Sequence, residues 1–186
     1  MSSAAILRPN QLFAEHPGLE TQPDQVVLFE DPLFFGDAIY PAKMHKQKLW
    51  LHRASMARYR DNLVARGFKA TNRQYEPKAG ACVRLFEDLR QRGVSEVTIA
   101  EPVDFISEKR LLTAANEVNI TLDLRPSPGF LNTRTDNLDW SAGRKRWFMA
   151  EFYKSQRRHL NVLMEGDQPR GGQWSFDEDS RKKVPV

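Results

Sequence analysis

Gln25-Val26-Val27-Leu28-Phe29-Glu30 is a run of four apolar residues between an amide and a carboxylate, and the segments on either side of it decide the fold. A run without polar alternation suits a strand covered on both faces, as in a parallel sheet. Downstream, Lys46 to Arg66 places Leu49, Met56 and Leu63 on one helical seam with Trp50, Ala57 and Val64 beside it, and Gly67 stands where a helix C-terminus is expected. Phe68 to Arg73 then supplies another strand, completing a strand–helix–strand unit. Outward from this unit the alternation continues, with strands at Ala4 to Arg8, Glu96 to Ala100 and Ile120 to Leu124. A helix from Ala81 to Arg92 ends at Gly93, and another starts at Ser107 as N-cap, with Ile106 and Leu111 placed as a hydrophobic staple. The segment Asn10 to Asp24 has room for one short helical turn near His16-Pro17-Gly18-Leu19. The pattern predicts an α/β fold, a five-stranded parallel sheet wrapped by helices.

Arg125-Pro126-Ser127-Pro128-Gly129 ends the alternation, and the polar Asn132 to Asn137 reads as a crossing loop. A long helix is expected beyond it, with Phe148, Phe152 and His159 on one side and Met149, Tyr153, Leu160 and Met164 on the next. This divides the chain into a sheet domain, 1–139, and a helical extension with a polar tail, 140–186. Charge follows the same division: residues 1–139 hold 18 basic and 18 acidic side chains, residues 140–186 hold 10 and 6, so the formal net charge of +4 lies in the extension. A localised excess of this kind fits a polyanion such as phosphate, or equally a solvated helix face. A wide aromatic face wants a partner surface, and the chain reads as one domain of something larger.

Several functions are made improbable by what is missing. The start of the chain lacks the charged and apolar regions of a signal peptide and no apolar run is long enough to span a bilayer, so a cytoplasmic protein with no membrane contact is expected. The single cysteine, Cys82, permits no internal disulfide and shares helical spacing with Leu85, Phe86 and Leu89, which reads as core. No Gly-x-Gly-x-x-Gly, Walker loop or Gly-x-Ser-x-Gly elbow occurs, and the four histidines have no convincing metal-binding spacing. No catalytic or metal-ligating set is therefore assigned. In an open α/β sheet, ligands bind beyond the carboxyl ends of the strands. That rule selects Asn10 and Gln11 after the first strand, Glu30 and Asp31 after the second, and Glu101 after the fourth, with Lys48 and His52 able to face the same crevice. Amides, carboxylates and amines of this kind suit the edge of a heteroaromatic ring, although strand-end carboxylates also commonly cap loops and helices.

The opening Ile6-Leu7-Arg8-Pro9-Asn10-Gln11, then Leu28-Phe29-Glu30-Asp31-Pro32, then His45-Lys46-Gln47-Lys48-Leu49, resemble the N-terminal domain of the deoxyribodipyrimidine photolyase-related proteins. The closing segments resemble that family further: Trp140 to Lys145 as its Trp-x-x-Gly-Arg-Lys segment, Phe148 to Arg158 as its aromatic and basic helix, and Gly171 to Asp177 as its Gly-Gly-x-Trp-Asn-Phe-Asp tail. What the resemblance implies is a doubly wound, Rossmann-like antenna domain of the photolyase and cryptochrome superfamily. Relatives repair (6-4) photoproducts in DNA or sense blue light, using FAD and a four-iron cluster held in a helical C-terminal domain that this chain is expected to lack. Relatives of this branch can carry 6,7-dimethyl-8-ribityllumazine as the antenna. By motif position Asn10, Gln11, Glu30 and Lys48 match the antenna crevice, while Asp31, His52 and Glu101 rest on topology. Asn10 replaces an ionisable residue of the family pattern and Ser175 replaces its Asn.

The extension then reads as the connector to the catalytic domain. Arg144, Lys145, Arg146, Trp147, Phe148, Phe152, Arg157, Arg158 and Trp174 are its contact candidates, facing acidic residues of that domain or, through the full-length protein, DNA phosphates. A freestanding nucleotide or nucleic-acid binding α/β module is the alternative. A third reading is a fragment whose bare aromatic helix can promote dimerisation.

Overall fold

The computed structural model describes residues 2–175, so Phe176-Asp177 of the tail motif and the basic Arg181-Lys182-Lys183 lie outside the described residues. The chain divides between Thr133 and Arg134 into two compact units. The first is an all-parallel five-stranded sheet, with β1 (Ser2–Leu7), β2 (Gln25–Phe29), β3 (Ala70–Arg73), β4 (Val94–Ala100) and β5 (Thr121–Arg125) in the order β3-β2-β1-β4-β5. All five strands expected from the apolar runs are present, with ends shifted by a residue or two. Ala4 pairs with Gln25 on one side of β1 and with Val97 on the other, which makes β1 the central strand and sets the reversal of strand order there.

Strands buried on both faces explain the unbroken apolar runs. Ala5, Leu7, Val26 and Leu28 face α2 (Lys46–Ala65), where Met56 and Leu63 are buried, together with Leu19 of a 3-10 turn at Pro17–Leu19. On the opposite face Ala4, Ile6, Val27 and Phe29 meet α3 (Ala81–Gln91) and α4 (Phe105–Glu117) through Leu85, Phe86, Leu89 and Leu111. The sheet is therefore doubly wound and Rossmann-like. Gly67, at φ +92°, follows α2 as its sequence position predicts. The seam of α2 is narrower than its pattern suggests, since Leu49 is half-buried while Trp50 is 73% and Val64 53% exposed.

Two local expectations are corrected. The N-cap of α4 is Asp104, whose carboxylate accepts from the Ser107 amide at 2.7 Å, so Ser107 and Ile106 lie inside the helix rather than before it. Asp outcompetes Ser because an ionised acceptor makes the stronger cap bond. The extension, expected as a crossing loop and then one long helix, is instead α5 (Arg134–Ser141), which begins inside the expected loop, and a shorter α6 (Met149–Leu160), with Gly143 at φ +72° between them. Asn161, at φ +51°, ends α6, and a two-residue hairpin pairs Met164-Glu165 with Gln168-Pro169.

Phe86 is fully buried at the centre of the α3–α4 layer. Phe86→Ala should lower unfolding stability by about 3–5 kcal/mol through lost transfer energy and a residual cavity, read from the urea midpoint at unchanged slope.

Candidate functional site

At the carboxyl end of β1 the chain places Arg8, a guanidinium with no exposed surface. Its Nε donates to Asp31 Oδ2 at 3.1 Å, its Nη2 lies 3.0 Å from the same oxygen, and Nη2 also donates to Ser107 Oγ. Asp104 Oδ2 stands 3.6 Å from Nη2, and the guanidinium lies 5.4 Å from the centre of the Phe34 ring. One cation thus ties the central strand to α4 and to a short helix, α1 (Pro32–Phe35), that Asp31 caps by accepting from Leu33 N at 3.0 Å. Arg8 Nη1 is buried with no hydrogen-bond partner among the described residues.

The other strand-end residues are held in place by neighbours. Gln11 Nε2 donates to the carbonyls of Ala100 at 3.2 Å and Glu101 at 2.7 Å, clipping the β1 loop to the end of β4 and leaving its buried Oε1 without a partner. Glu30, 4% exposed, accepts from Arg53 through both carboxylate oxygens and from Tyr75 N at 2.9 Å, so it joins β2, α2 and the segment after β3. His52 packs edge-on to Phe34 with centroids 5.8 Å apart, and burial, aided by the Lys48 charge, lowers its pKa. Lys48 and Asn10 are exposed. Glu101 is half-buried and its amide donates to Arg125 O at 2.8 Å.

A cavity of about 370 Å³ opens beside this cluster, on the α3–α4 face, between α1, the segment 37–40 and the first turns of α3 and α4. Its walls are mostly apolar, from Ile39, Ala79, Ala81, Phe105 and Leu111, with Asp31, Asp37, Ser107 and Arg110 as inner polar groups and Lys78 and Lys109 basic beside them. Of the residues selected from sequence, Asp31 lines it; Asn10, Gln11, Glu30, Lys48, His52 and Glu101 do not. The sequence reading misses Asp37, Tyr40 and Arg110. Arg110 donates to both oxygens of Asp37, at 2.5 and 3.0 Å, and sits 5.5 Å from the Tyr40 ring centre. The Asp37 carboxylate also accepts from the amides of Ile39 and Tyr40, which shapes the segment over the cavity mouth. Gly36 precedes it at φ +135°, and a Cβ there would stand 3.1 Å from Tyr75 Oη. Burial pushes the Cys82 thiol up to about 12, so this wall residue is an unreactive neutral thiol.

In the second unit Arg157 is buried, and its guanidinium donates to the carbonyls of Val162, Leu163 and Trp174. Its charge serves the unit's own backbone, binding hairpin and tail to α6, whereas sequence reasoning places it on the contact surface. Arg158 lies 4.4 Å from the Trp174 ring centre, and Phe152 packs edge-on to Trp140 at 4.9 Å. Arg144 covers Trp140 at 4.5 Å, while Lys145, Arg146, Trp147 and Phe148 are exposed.

Arg8→Met should cost about 3–5 kcal/mol in denaturant unfolding, because it strands the buried Asp31 carboxylate. The Arg110 hydrogen bonds hold the Asp37 carboxyl down at about 2, against an ordinary 3.8. Its contribution to stability is therefore complete above pH ~4 and is lost as acid carries the pH down through ~2. Asp37→Asn should flatten that limb, so that the stability gap between variant and parent narrows between these pH values in urea titrations.

The profile of the family described as deoxyribodipyrimidine photo-lyase-related protein matches residues 5–186. An uncharacterised protein of Acanthamoeba polyphaga mimivirus is 31% identical over 193 residues, covering all of this chain and 96% of that protein. A (6-4) photolyase of Agrobacterium fabrum is 27% identical over 191 residues, and there the chain spans 98% of its own length but 36% of the enzyme's. With a parallel, doubly wound sheet and a family match over nearly its whole length, the chain belongs to the deoxyribodipyrimidine photo-lyase-related protein family.

Proposed function

We propose that the sheet unit is an antenna module: it binds a conjugated ring and passes light energy to a flavin held elsewhere, in light-driven DNA repair or blue-light sensing. The observation that carries this is the cavity at the strand ends. Its volume of about 370 Å³ lies within the usual range for small-molecule sites, and mostly apolar walls with a few fixed polar groups suit a flat heteroaromatic body. A lumazine such as 6,7-dimethyl-8-ribityllumazine fits this donor set. Ile39, Phe105 and Leu111 would flank the ring, Ser107 and the Asp37–Arg110 pair would meet its polar edge, and the family match supports the assignment. When bound, such a ring supplies near-ultraviolet and blue absorption. The residues of the chain only orient it and exclude water, so no proton donor or nucleophile is required. FAD and a four-iron cluster would belong to a further domain, in keeping with the span of 36% on the (6-4) photolyase.

A nucleic-acid binding role is the second reading, favoured by exposed Lys145 and Arg146 beside exposed Trp147. Binding of single-stranded DNA that falls steeply with salt would support it.

Titrating the protein with 6,7-dimethyl-8-ribityllumazine, followed by ligand fluorescence, tests the antenna reading. Saturable one-to-one binding is expected, weakened at least ~10-fold by Ala79→Trp, which narrows the cavity from an exposed wall position, and unaffected by Lys154→Ala on α6. No binding, together with no chromophore released from the protein on heating, would sink it.

A further inference from the structure

Between α1 and α2 the chain runs from Gly36 to His45 without helix or strand, and Asp37, Ala38, Ile39 and Tyr40 of this stretch form one side of the strand-end cavity. Among the described residues, no backbone–backbone hydrogen bond joins residues 37–44 to another element. Side chains from elsewhere in the fold fasten the stretch instead. Tyr75 Oη donates to Gly36 O at 2.6 Å, while Arg110 of α4 donates to both oxygens of Asp37 and sits beside the Tyr40 ring. Tyr75 is itself fixed, its amide bonded to Glu30 and its ring stacked on Phe35.

Space lies on both sides of this stretch. The cavity of about 370 Å³ is on one side, and a second hollow of about 380 Å³, lined by Gly36, Ala38, Pro41, Ala42, Tyr75 and Pro77, is on the other. A segment held through side chains, with no backbone ladder and with room to move either way, opens locally at far lower cost than the sheet beneath it. Gly36, at φ +135° directly after α1, supplies the pivot. Ile39 and Tyr40 on the stretch and Phe105 on the α4 wall are 60, 52 and 76% exposed, although all three line the cavity. A flat body between them would take apolar surface out of water, so occupancy favours the fastened position.

We infer that residues 36–44 are a strap that gates the cavity, fastened in this structure and pivoting at Gly36 when Arg110 releases Asp37. The inference rests on the antenna reading for what passes the gate, a conjugated ring, but the gate is measurable without one. Cys82, the single cysteine of the chain, lines the cavity and reports access to it. Its reaction with the uncharged aromatic disulfide 4,4′-dithiodipyridine, followed by absorbance on the folded full chain at fixed pH, should be slow in the parent. Tyr75→Phe should speed it ~3-fold or more and Arg110→Met at least ~10-fold, as a neutral hydrogen bond and a charge-assisted pair are lost in turn. The Arg110 charge lowers the thiol pKa, so its removal alone would slow the reaction, and acceleration reports opening. Leu63→Ala, which weakens the core under α2 away from the cavity, should leave the rate within ~2-fold. Labelling indifferent to both Tyr75→Phe and Arg110→Met overturns the inference, and so does equal acceleration by Leu63→Ala, the mark of general loosening. The expected labelling pattern in a protein that binds no lumazine supports the gate and sinks the antenna reading alone.

Discussion

The buried guanidinium of Arg8 is the constraint on which the strand-end architecture depends. A cation with no exposed surface is tolerable only if carboxylates and hydrogen-bond acceptors surround it. Asp31 and Ser107 supply them directly, with Asp104 just beyond, and they come from two different elements. The central strand, α1 and α4 must therefore meet in one arrangement for the charge to be buried at all. Its neighbours repeat the device in milder form, Glu30 joining three segments and Gln11 joining two. The rigid rim that results is what lets a mostly apolar cavity stand open next to it.

The same economy explains why the strand-end residues brace the fold. Residues at strand ends are positioned by the most rigid part of the fold, so they make good ligand donors and equally good internal ties. Here Glu30 and Gln11 are ties, while the cavity is walled by helix starts and by the segment 37–40. The second unit uses one buried cation in a comparable way, Arg157 holding three backbone carbonyls.

The strands β1 and β2 were legible because burial on both faces leaves apolar runs, and helix ends because Gly67 and Gly93 mark positive-φ stops. The cavity was not. Asp37 and Arg110 are 73 residues apart, and nothing local in either neighbourhood announces that they meet. Ser107 was visible as a cap candidate, but its bonds to Arg8 and Asp104 follow from tertiary placement. Helix α5 was missed because its first residues, from Arg134 to Asn137, are polar and carry no apolar periodicity, and α6 starts only at Met149, beyond Gly143 in the left-handed region. Arg157 misled because a basic residue on an aromatic helix is more often a surface group.

The turn at Pro17–Leu19 carries a further implication. In dinucleotide-binding sheets the first crossover is a helix whose N-terminus, with its aligned peptide dipoles, presents partial positive charge to a pyrophosphate. Here the first crossover is a single 3-10 turn packed on the sheet and offers no such N-terminus, and the N-terminus of α4, which does reach the end of β1, is already capped by the Asp104 carboxylate. The Arg8 charge nearby is already neutralised by Asp31. The strand ends keep the geometry of a nucleotide site, with their positive groups already answered by the fold's own carboxylates.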